Sequence, residues 1–227
     1  MSGIFNSENK VFSTLSKVFD MIVIGLVWIL LCIPIITIGP ATTALYYTIV
    51  KVIRRERSYL FKEFWRSFKL NFKQGIVVSI IFVVFAFIMY VDFRFLNEAV
   101  EESYKYRSVL YGVYLVVIVM AVFLFLYVFP ILSRFTVSTK QLFKWAFLLS
   151  VRHFVSTFLM TAILAVFIVL SYLVIYTLIG APLLLIAPSL CVLLISLPME
   201  RILKKYMPKT EPTTDPDGEA VDQWYNE

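Results

Sequence analysis

The chain lacks charged side chains over four long stretches, which are residues 21–50, 74–91, 108–133 and 154–199 of its 227 residues. An uncharged apolar stretch of about 18 or more residues is long enough to cross the hydrocarbon core of a membrane as a helix. The last stretch, at 46 residues, is long enough for two crossings. The absence of charge therefore predicts an all-α protein, a multi-pass transmembrane helical bundle.

Residues that build catalytic and metal sites are also scarce, with one histidine and two cysteines. Cys32 and Cys191 each lie inside an apolar stretch, so we interpret both as small buried hydrophobic residues. The sequence contains no paired intramembrane carboxylates, no glycine-rich phosphate loop and no cluster of metal ligands. We therefore expect no enzyme activity, no metal and no cofactor, and we expect His153 to be an interfacial residue.

The net charge of +6 does not predict a nucleic-acid partner, because the basic residues lie between the apolar segments. This arrangement is typical of contact with anionic lipid head groups and of the positive-inside rule.

Five spans are expected at about residues 18–36, 76–95, 109–132, 154–178 and 182–198, and a sixth, shorter one at residues 40–53. The short helix would be only about 21 Å long, against a hydrocarbon core of about 30 Å. Two adjustments are compatible with this length: Lys51 reaches the head groups with its long side chain, and the bilayer thins locally. Charge favours a crossing here, because it places 18 of the 21 basic residues on the cytoplasmic side with both termini. The prediction is six spans in one domain, residues 1–205, followed by a disordered acidic tail, residues 206–227.

The turn before the short helix is expected at the outer face, with Pro40 at the first helical position. Thr37 is expected to offer its hydroxyl to the free amides at the helix start. Ala41 and Ala44 would allow close packing. A larger residue should be tolerated less well at Gly39 than at Gly25.

The basic loop after the short helix predicts an amphipathic elbow helix on the cytoplasmic leaflet. Its aromatic residues follow helical spacing on one stripe, at Phe61, Phe64, Trp65, Phe68 and Phe72. A membrane-surface or partner-binding face is predicted for its cations, Lys62, Arg66, Lys69 and Lys73. Other charges are expected only near span ends, at Asp20, Asp92, Arg94 and Glu200.

Two segments resemble characteristic blocks of the YesL-like family of bacterial membrane proteins, whose function is uncharacterised. The first is CIPIITIGPATTALYY with the basic helix ending in NFKQG, and the second is PILSRFTVSTKQLFKWAFLLSVRHF. The resemblance covers about residues 5–205, although Gly25 stands where the family commonly has asparagine. It implies structural roles for the motif residues Pro34, Thr37, Gly39, Pro40, Asn71, Arg134, Phe135, Arg152 and His153. It also implies a bacterial cell-membrane location and an association with carbohydrate uptake, near sugar importers of the ABC class.

Two functions are compatible with this sequence. The first is a non-enzymatic accessory protein that contacts sugar importer subunits within the membrane. The alternative is a self-sufficient transporter or channel for a sugar or small solute, with its path between the six helices.

Overall fold

The computed structural model describes residues 10–54, 59–98, 107–174 and 180–207, which form eight α-helices. A 3-10 turn, Ile35–Thr37, leads into the second helix, and a π-helical segment, Ile49–Arg54, extends it. The predicted all-α class is confirmed. The helices are α1 (Lys10–Cys32), α2 (Ile38–Thr48), α3 (Leu60–Leu70), α4 (Phe72–Glu98), α5 (Arg107–Arg134), α6 (Thr139–Arg152), α7 (Phe154–Val174) and α8 (Gly180–Leu203).

Six helical segments within the described residues are long and apolar enough to cross a membrane, as predicted. They are Thr14–Cys32, Ile35–Arg54, Phe72–Asn97, Ser108–Arg134, Phe154–Val174 and Leu184–Leu203. The second segment has the lowest hydropathy and the largest buried share of the six. All but the first two residues of the predicted acidic tail lie outside the described residues.

The turn before α2 packs against the first two turns of α4. The Gly39 amide donates a hydrogen bond to Ser79 Oγ at 2.7 Å. A Cβ atom on Gly39 would lie 2.3 Å from the Gly75 carbonyl oxygen, so the two backbones touch only because both residues are glycines. Gly75 is the fourth residue of α4, which begins at Phe72 and is 27 residues long. The turn therefore lies near the beginning of a helix that extends for about 40 Å.

The beginning of α4 lies next to the end of α5, since Gln74 Nε2 donates a hydrogen bond to the Val137 carbonyl at 2.8 Å. The last turn of α2 reaches the same end of the bundle, where Tyr46 Oη donates to Glu200 Oε1 at 2.7 Å. Glu200 lies in the last turn of α8, beside Arg134 at the end of α5.

The Gly39–Pro40 turn and the beginning of α4 were expected on opposite faces of the membrane, and the structure instead places them side by side. The physical reason is that α2 carries small or apolar side chains on most of its circumference, so other helices can pack against it on several sides. Ala41 and Ala44 are both fully buried, as close packing requires.

Gly25 is as tightly enclosed as Gly39, which contradicts the expectation that it would tolerate a larger residue better than Gly39 does. A Cβ atom there would lie 2.0 Å from the Leu185 carbonyl oxygen of α8. Ser189 Oγ donates a hydrogen bond to the Met21 carbonyl at 2.8 Å along the same contact. Glycine at position 25 thus sets the distance between α1 and α8.

The predicted elbow helix is α3, and it packs alongside α2 rather than lying apart from the bundle. Phe64 and Phe68 are buried in a cluster shared with α1 and α2. Phe61 and Trp65 remain substantially exposed. The predicted single aromatic stripe is thus divided along its length, because only the edge that carries Phe64 and Phe68 faces α1 and α2.

A larger core cluster joins α5, α6, α7 and α8. The chain turns from α5 into α6 at Ser138, where Ser138 and Gln141 form a reciprocal capping box. Tyr127 Oη of α5 and Thr157 Oγ1 of α7 share a buried hydrogen bond of 2.8 Å. These contacts hold Arg134, the last residue of α5, at a fixed position.

Candidate functional site: a buried charged cluster

Among the described residues, four charged side chains of the apolar bundle are almost completely buried. Lys51, Glu63 and Glu200 are 4%, 3% and 3% exposed, and the side chain of Arg134 is 2% exposed. Lys51 therefore does not extend to the head groups, which corrects the sequence-based expectation. Since burying an isolated charge is very costly, each of these groups requires a partner of opposite sign.

The first pair joins the ends of α5 and α8. Arg134 Nη2 lies 2.9 Å from Glu200 Oε1, and the same oxygen accepts the 2.7 Å hydrogen bond from Tyr46 Oη of α2. A hydrogen bond to a charged acceptor is shorter and stronger than one between neutral groups. One carboxylate thus links three helices that are far apart in the sequence.

The second pair joins α2 to α3. Lys51 Nζ lies 3.2 Å from Glu63 Oε1 and 5.7 Å from the centre of the Tyr47 ring. Arg54, in the same π-helical segment, donates from Nη1 to the Ser196 carbonyl of α8 at 2.9 Å. A π-helix is rare and is often found at functional positions in helices. Here the wider helical segment carries both cations, Lys51 and Arg54, towards different neighbours.

The two pairs and the Arg54 contact form what we call the charged cluster, comprising Tyr46, Lys51, Arg54, Glu63, Arg134 and Glu200. Each carboxylate in it faces a cation at salt-bridge distance. Within the described residues, no group of three or more histidine, cysteine, aspartate or glutamate side chains is placed to hold a metal ion. The contacts of the charged cluster attach α2 and its π-helical extension to α3, α5 and α8.

His153 and Arg152 lie at the junction of α6 and α7, outside the spans, and contact the residues after α8. His153 Nε2 lies 3.2 Å from Tyr206 Oη, and the Arg152 guanidinium lies 5.7 Å from the centre of the Tyr206 ring. Burial, and then the positive charges of Lys205 and Arg152, lower the pKa of His153 below its usual 6.5. The motif pair therefore connects the α6–α7 junction to the residues that follow α8.

Thr37 does not cap α2 with its side chain, which corrects a second expectation. Its hydroxyl instead donates to the carbonyls of Leu31 and Pro34, at 2.6 Å for Pro34. The amide of Gly39 is satisfied by Ser79 from α4. The capping hydroxyl therefore comes from another helix, which the local sequence could not reveal.

The remaining motif residues have structural positions. Asn71 ends α3, and its side-chain amide donates to the Ser67 carbonyl at 2.9 Å. Phe135 packs edge-on against Trp145, with ring centres 5.5 Å apart. Pro34 is exposed in the turn, and Pro40 is buried against α4. Of the predicted motif residues, only Arg134 belongs to the charged cluster.

The four cations predicted for the elbow all have exposed side chains: Lys62, Arg66 and Lys69 of α3, and Lys73 at the beginning of α4. Glu63, the one acid within α3, points to the opposite side and faces Lys51 at salt-bridge distance. It therefore leaves the exposed basic face of α3 unneutralised.

Sequence reasoning missed Tyr46, Glu63 and Glu200 as members of a site. Glu200 directly follows the longest uncharged stretch, and Glu63 is one of two acids in a strongly basic loop. Glu200 is thus an acid next to an uncharged apolar segment, and Glu63 is an acid among basic residues. That signal could have marked them as ion-pair partners, although it could not have identified which cation each one meets.

Residues 21–93 match the family described as "Protein of unknown function, DUF624", which is about a third of the chain. No curated protein and no solved structure matches the chain. The matched segment begins in α1 and ends in α4. It therefore contains the Gly39–Gly75 contact and the Lys51–Glu63 pair, whereas Arg134 and Glu200 lie beyond it. Over these residues the chain is similar to a family of uncharacterised function.

Proposed function

We propose that this protein is a non-enzymatic accessory protein of the cell membrane that binds another membrane protein laterally, through α4. The observation that carries the proposal is the exposure of α4 beyond its first two turns. Val84, Phe87 and Phe95 are 51%, 65% and 66% exposed, although α4 is a long apolar helix. A helix of this kind must be covered by lipid or by another protein.

The groove between α4 and α5 supports a protein partner. Its volume is about 470 Å³, and its walls include the aromatic rings of Phe82, Phe93 and Tyr114. Tyr114 Oη donates to the Met89 carbonyl at 3.0 Å, so a wall of the groove is fixed by a hydrogen bond. Aromatic side chains on fixed elements are the residues that most often dominate binding energy at interfaces.

The finer proposal, that the partner is a sugar importer subunit, depends on the resemblance to the YesL-like family. The exposed cations of α3, such as Lys62 and Arg66, would meet anionic head groups on the cytoplasmic side, because basic loops remain on that side. In this orientation α5 and α8 end on the cytoplasmic side, which places the C-terminus in the cytoplasm.

Site-specific photo-crosslinking tests the proposal. A photoreactive amino acid at Phe87 of α4 is compared with one at Val166 of α7, which is 55% exposed and serves as the matched control. We expect Phe87 to yield an adduct with an importer membrane subunit in living cells and Val166 to yield none. Adducts only with lipid at both positions, together with purification of the protein alone in mild detergent, would refute the proposed function.

The alternative of a self-sufficient transporter or channel receives no specific support from the cavities. Four cavities among the described residues have predominantly apolar walls. Vesicles that contain the purified protein separate the two functions. An accessory protein leaves sugar and solute flux at the rate of empty vesicles, and a faster flux of any sugar would favour the transporter.

A further inference from the structure

A cavity of about 270 Å³ lies between α1, α2, α5, α7 and α8, separate from the α4–α5 groove. Its wall is entirely apolar and includes Trp28, Phe129, Leu164 and Cys191. Every lining residue belongs to one of the helical segments that are long and apolar enough to cross a membrane. The cavity therefore lies inside the apolar bundle.

Two prolines explain why the helices leave this space. Pro130 of α5 and Pro188 of α8 lie inside their helices, and both line the cavity. A proline inside a helix removes one backbone hydrogen bond and bends the helix, because its ring collides with the preceding turn. Two bends at the same cavity prevent α5 and α8 from closing against each other.

The cavity has a buried floor and a partly exposed rim. Tyr46 and Phe129 are 3% and 2% exposed and form the floor. Trp28, Ile38 and Leu164 are only half-buried, so the rim reaches the apolar surface of the bundle. At that surface the surrounding solvent is lipid hydrocarbon.

Water is a poor occupant, because a buried water needs about three hydrogen bonds and the wall offers no polar atom. An empty space would leave the wall atoms without contacts on one side. Apolar cavities of smaller volume remain dry and accept apolar molecules.

We propose that this cavity binds one acyl chain of a membrane phospholipid, which enters between Trp28 and Leu164. The chain packs against the ring of Tyr46 while the hydroxyl of Tyr46 remains bonded to Glu200. The site is thus an acyl-chain pocket that ends on the apolar side of the charged cluster.

Native mass spectrometry of the purified protein tests this proposal with two matched variants on α8. Cys191→Phe fills the cavity, and Leu197→Phe introduces the same side chain on the exposed face of the helix, where Leu197 is 42% exposed. We expect the unmodified protein and Leu197→Phe to retain one phospholipid after delipidation, and Cys191→Phe to lose it. Equal lipid retention in all three proteins would overturn the proposal.

A second measurement uses the unmodified protein, in case Cys191→Phe fails to fold. The protein is reconstituted in vesicles that contain a phosphatidylglycerol with a photoreactive diazirine at the end of one acyl chain. We expect labelled peptides to include the floor residue Phe129 as well as outward-facing positions such as Val84 and Val166. Labelling confined to the outward-facing positions would overturn the proposal.

Discussion

Glu200→Ala is expected to destabilise the protein more than any other single substitution in the charged cluster. It removes the carboxylate that faces Arg134 at 2.9 Å and accepts the hydrogen bond of Tyr46 at 2.7 Å. Both partners are buried, so neither regains full hydration in the variant. Breaking a buried ion pair by removing one partner typically costs about 3–5 kcal/mol.

Removing both charges together should cost less than removing one. In Arg134→Met/Glu200→Leu the buried positions receive apolar side chains, and such replacements of whole ion pairs are often neutral or stabilising. Tyr46→Phe keeps the pair and deletes one hydrogen bond to a charged acceptor, which is a loss of about 1.5–3 kcal/mol. The matched control is Tyr111→Phe, because Tyr111 donates a 2.7 Å hydrogen bond to Asn97 at an exposed position.

The assay is equilibrium unfolding in mixed micelles with increasing denaturing detergent, followed by circular dichroism. The expected order of stability is Tyr111→Phe, then Tyr46→Phe, then Glu200→Ala, with the double variant above Glu200→Ala. If the double variant is no more stable than Glu200→Ala, the loss cannot arise from a charge left buried, and the electrostatic reasoning fails.

Three further predictions follow from local geometry. Gly25→Ala should cost about 1–3 kcal/mol of stability through overpacking, because its Cβ would meet the Leu185 carbonyl. Gly112→Ala should be neutral or stabilising, because nothing lies within 4 Å of its added Cβ. The same unfolding assay would contradict this prediction if the two variants behaved alike. Because the pKa of His153 is lowered in the folded protein, the unfolded chain binds the proton more readily. The stability of the fold should therefore decrease as the pH drops through 6.5 towards the lower pKa of the folded state. His153→Gln should flatten this dependence in thermal melts at stepped pH. A cysteine at Ile35, in the exposed apolar turn before α2, should resist an impermeant maleimide from both sides of intact vesicles, and rapid labelling from one side would show that the turn lies in water.

The spans could be predicted from the sequence because the relevant physics is local. Hydrocarbon excludes charge over a fixed thickness, so the length of an uncharged stretch identifies a crossing helix without knowledge of its neighbours. The α3 helix was predictable for a similar reason, since Phe64 and Phe68 recur at helical spacing and the cations Lys62, Arg66 and Lys69 recur on another side.

The contacts of α2 could not be predicted, because they depend on residues far away in the chain. Ser79 is 40 positions from the amide that it satisfies, and Glu200 is 154 positions from Tyr46. Hydropathy also treats Gly25 and Gly39 alike, although each one touches a different backbone. The shortness of the helix placed Lys51 at the head groups, because helix length takes no account of Glu63, which faces Lys51 at salt-bridge distance inside the protein.

The position of α2 explains why the charged cluster exists. A helix that starts against the first turns of α4 and passes the last turn of α8 remains at one end of the bundle. Lys51, in the segment that extends the helix, is therefore surrounded by protein and needs a partner there, whereas Arg54 is exposed and donates to the Ser196 carbonyl. Within lipid, non-helical backbone must also satisfy its own polar groups, and the Thr37 hydroxyl does this for the preceding turn by donating to two of its carbonyls. The Gly39–Gly75 contact, the hydrogen bonds of Thr37 and the ion pairs thus all hold a short helix within the bundle, where lipid alone would not stabilise it.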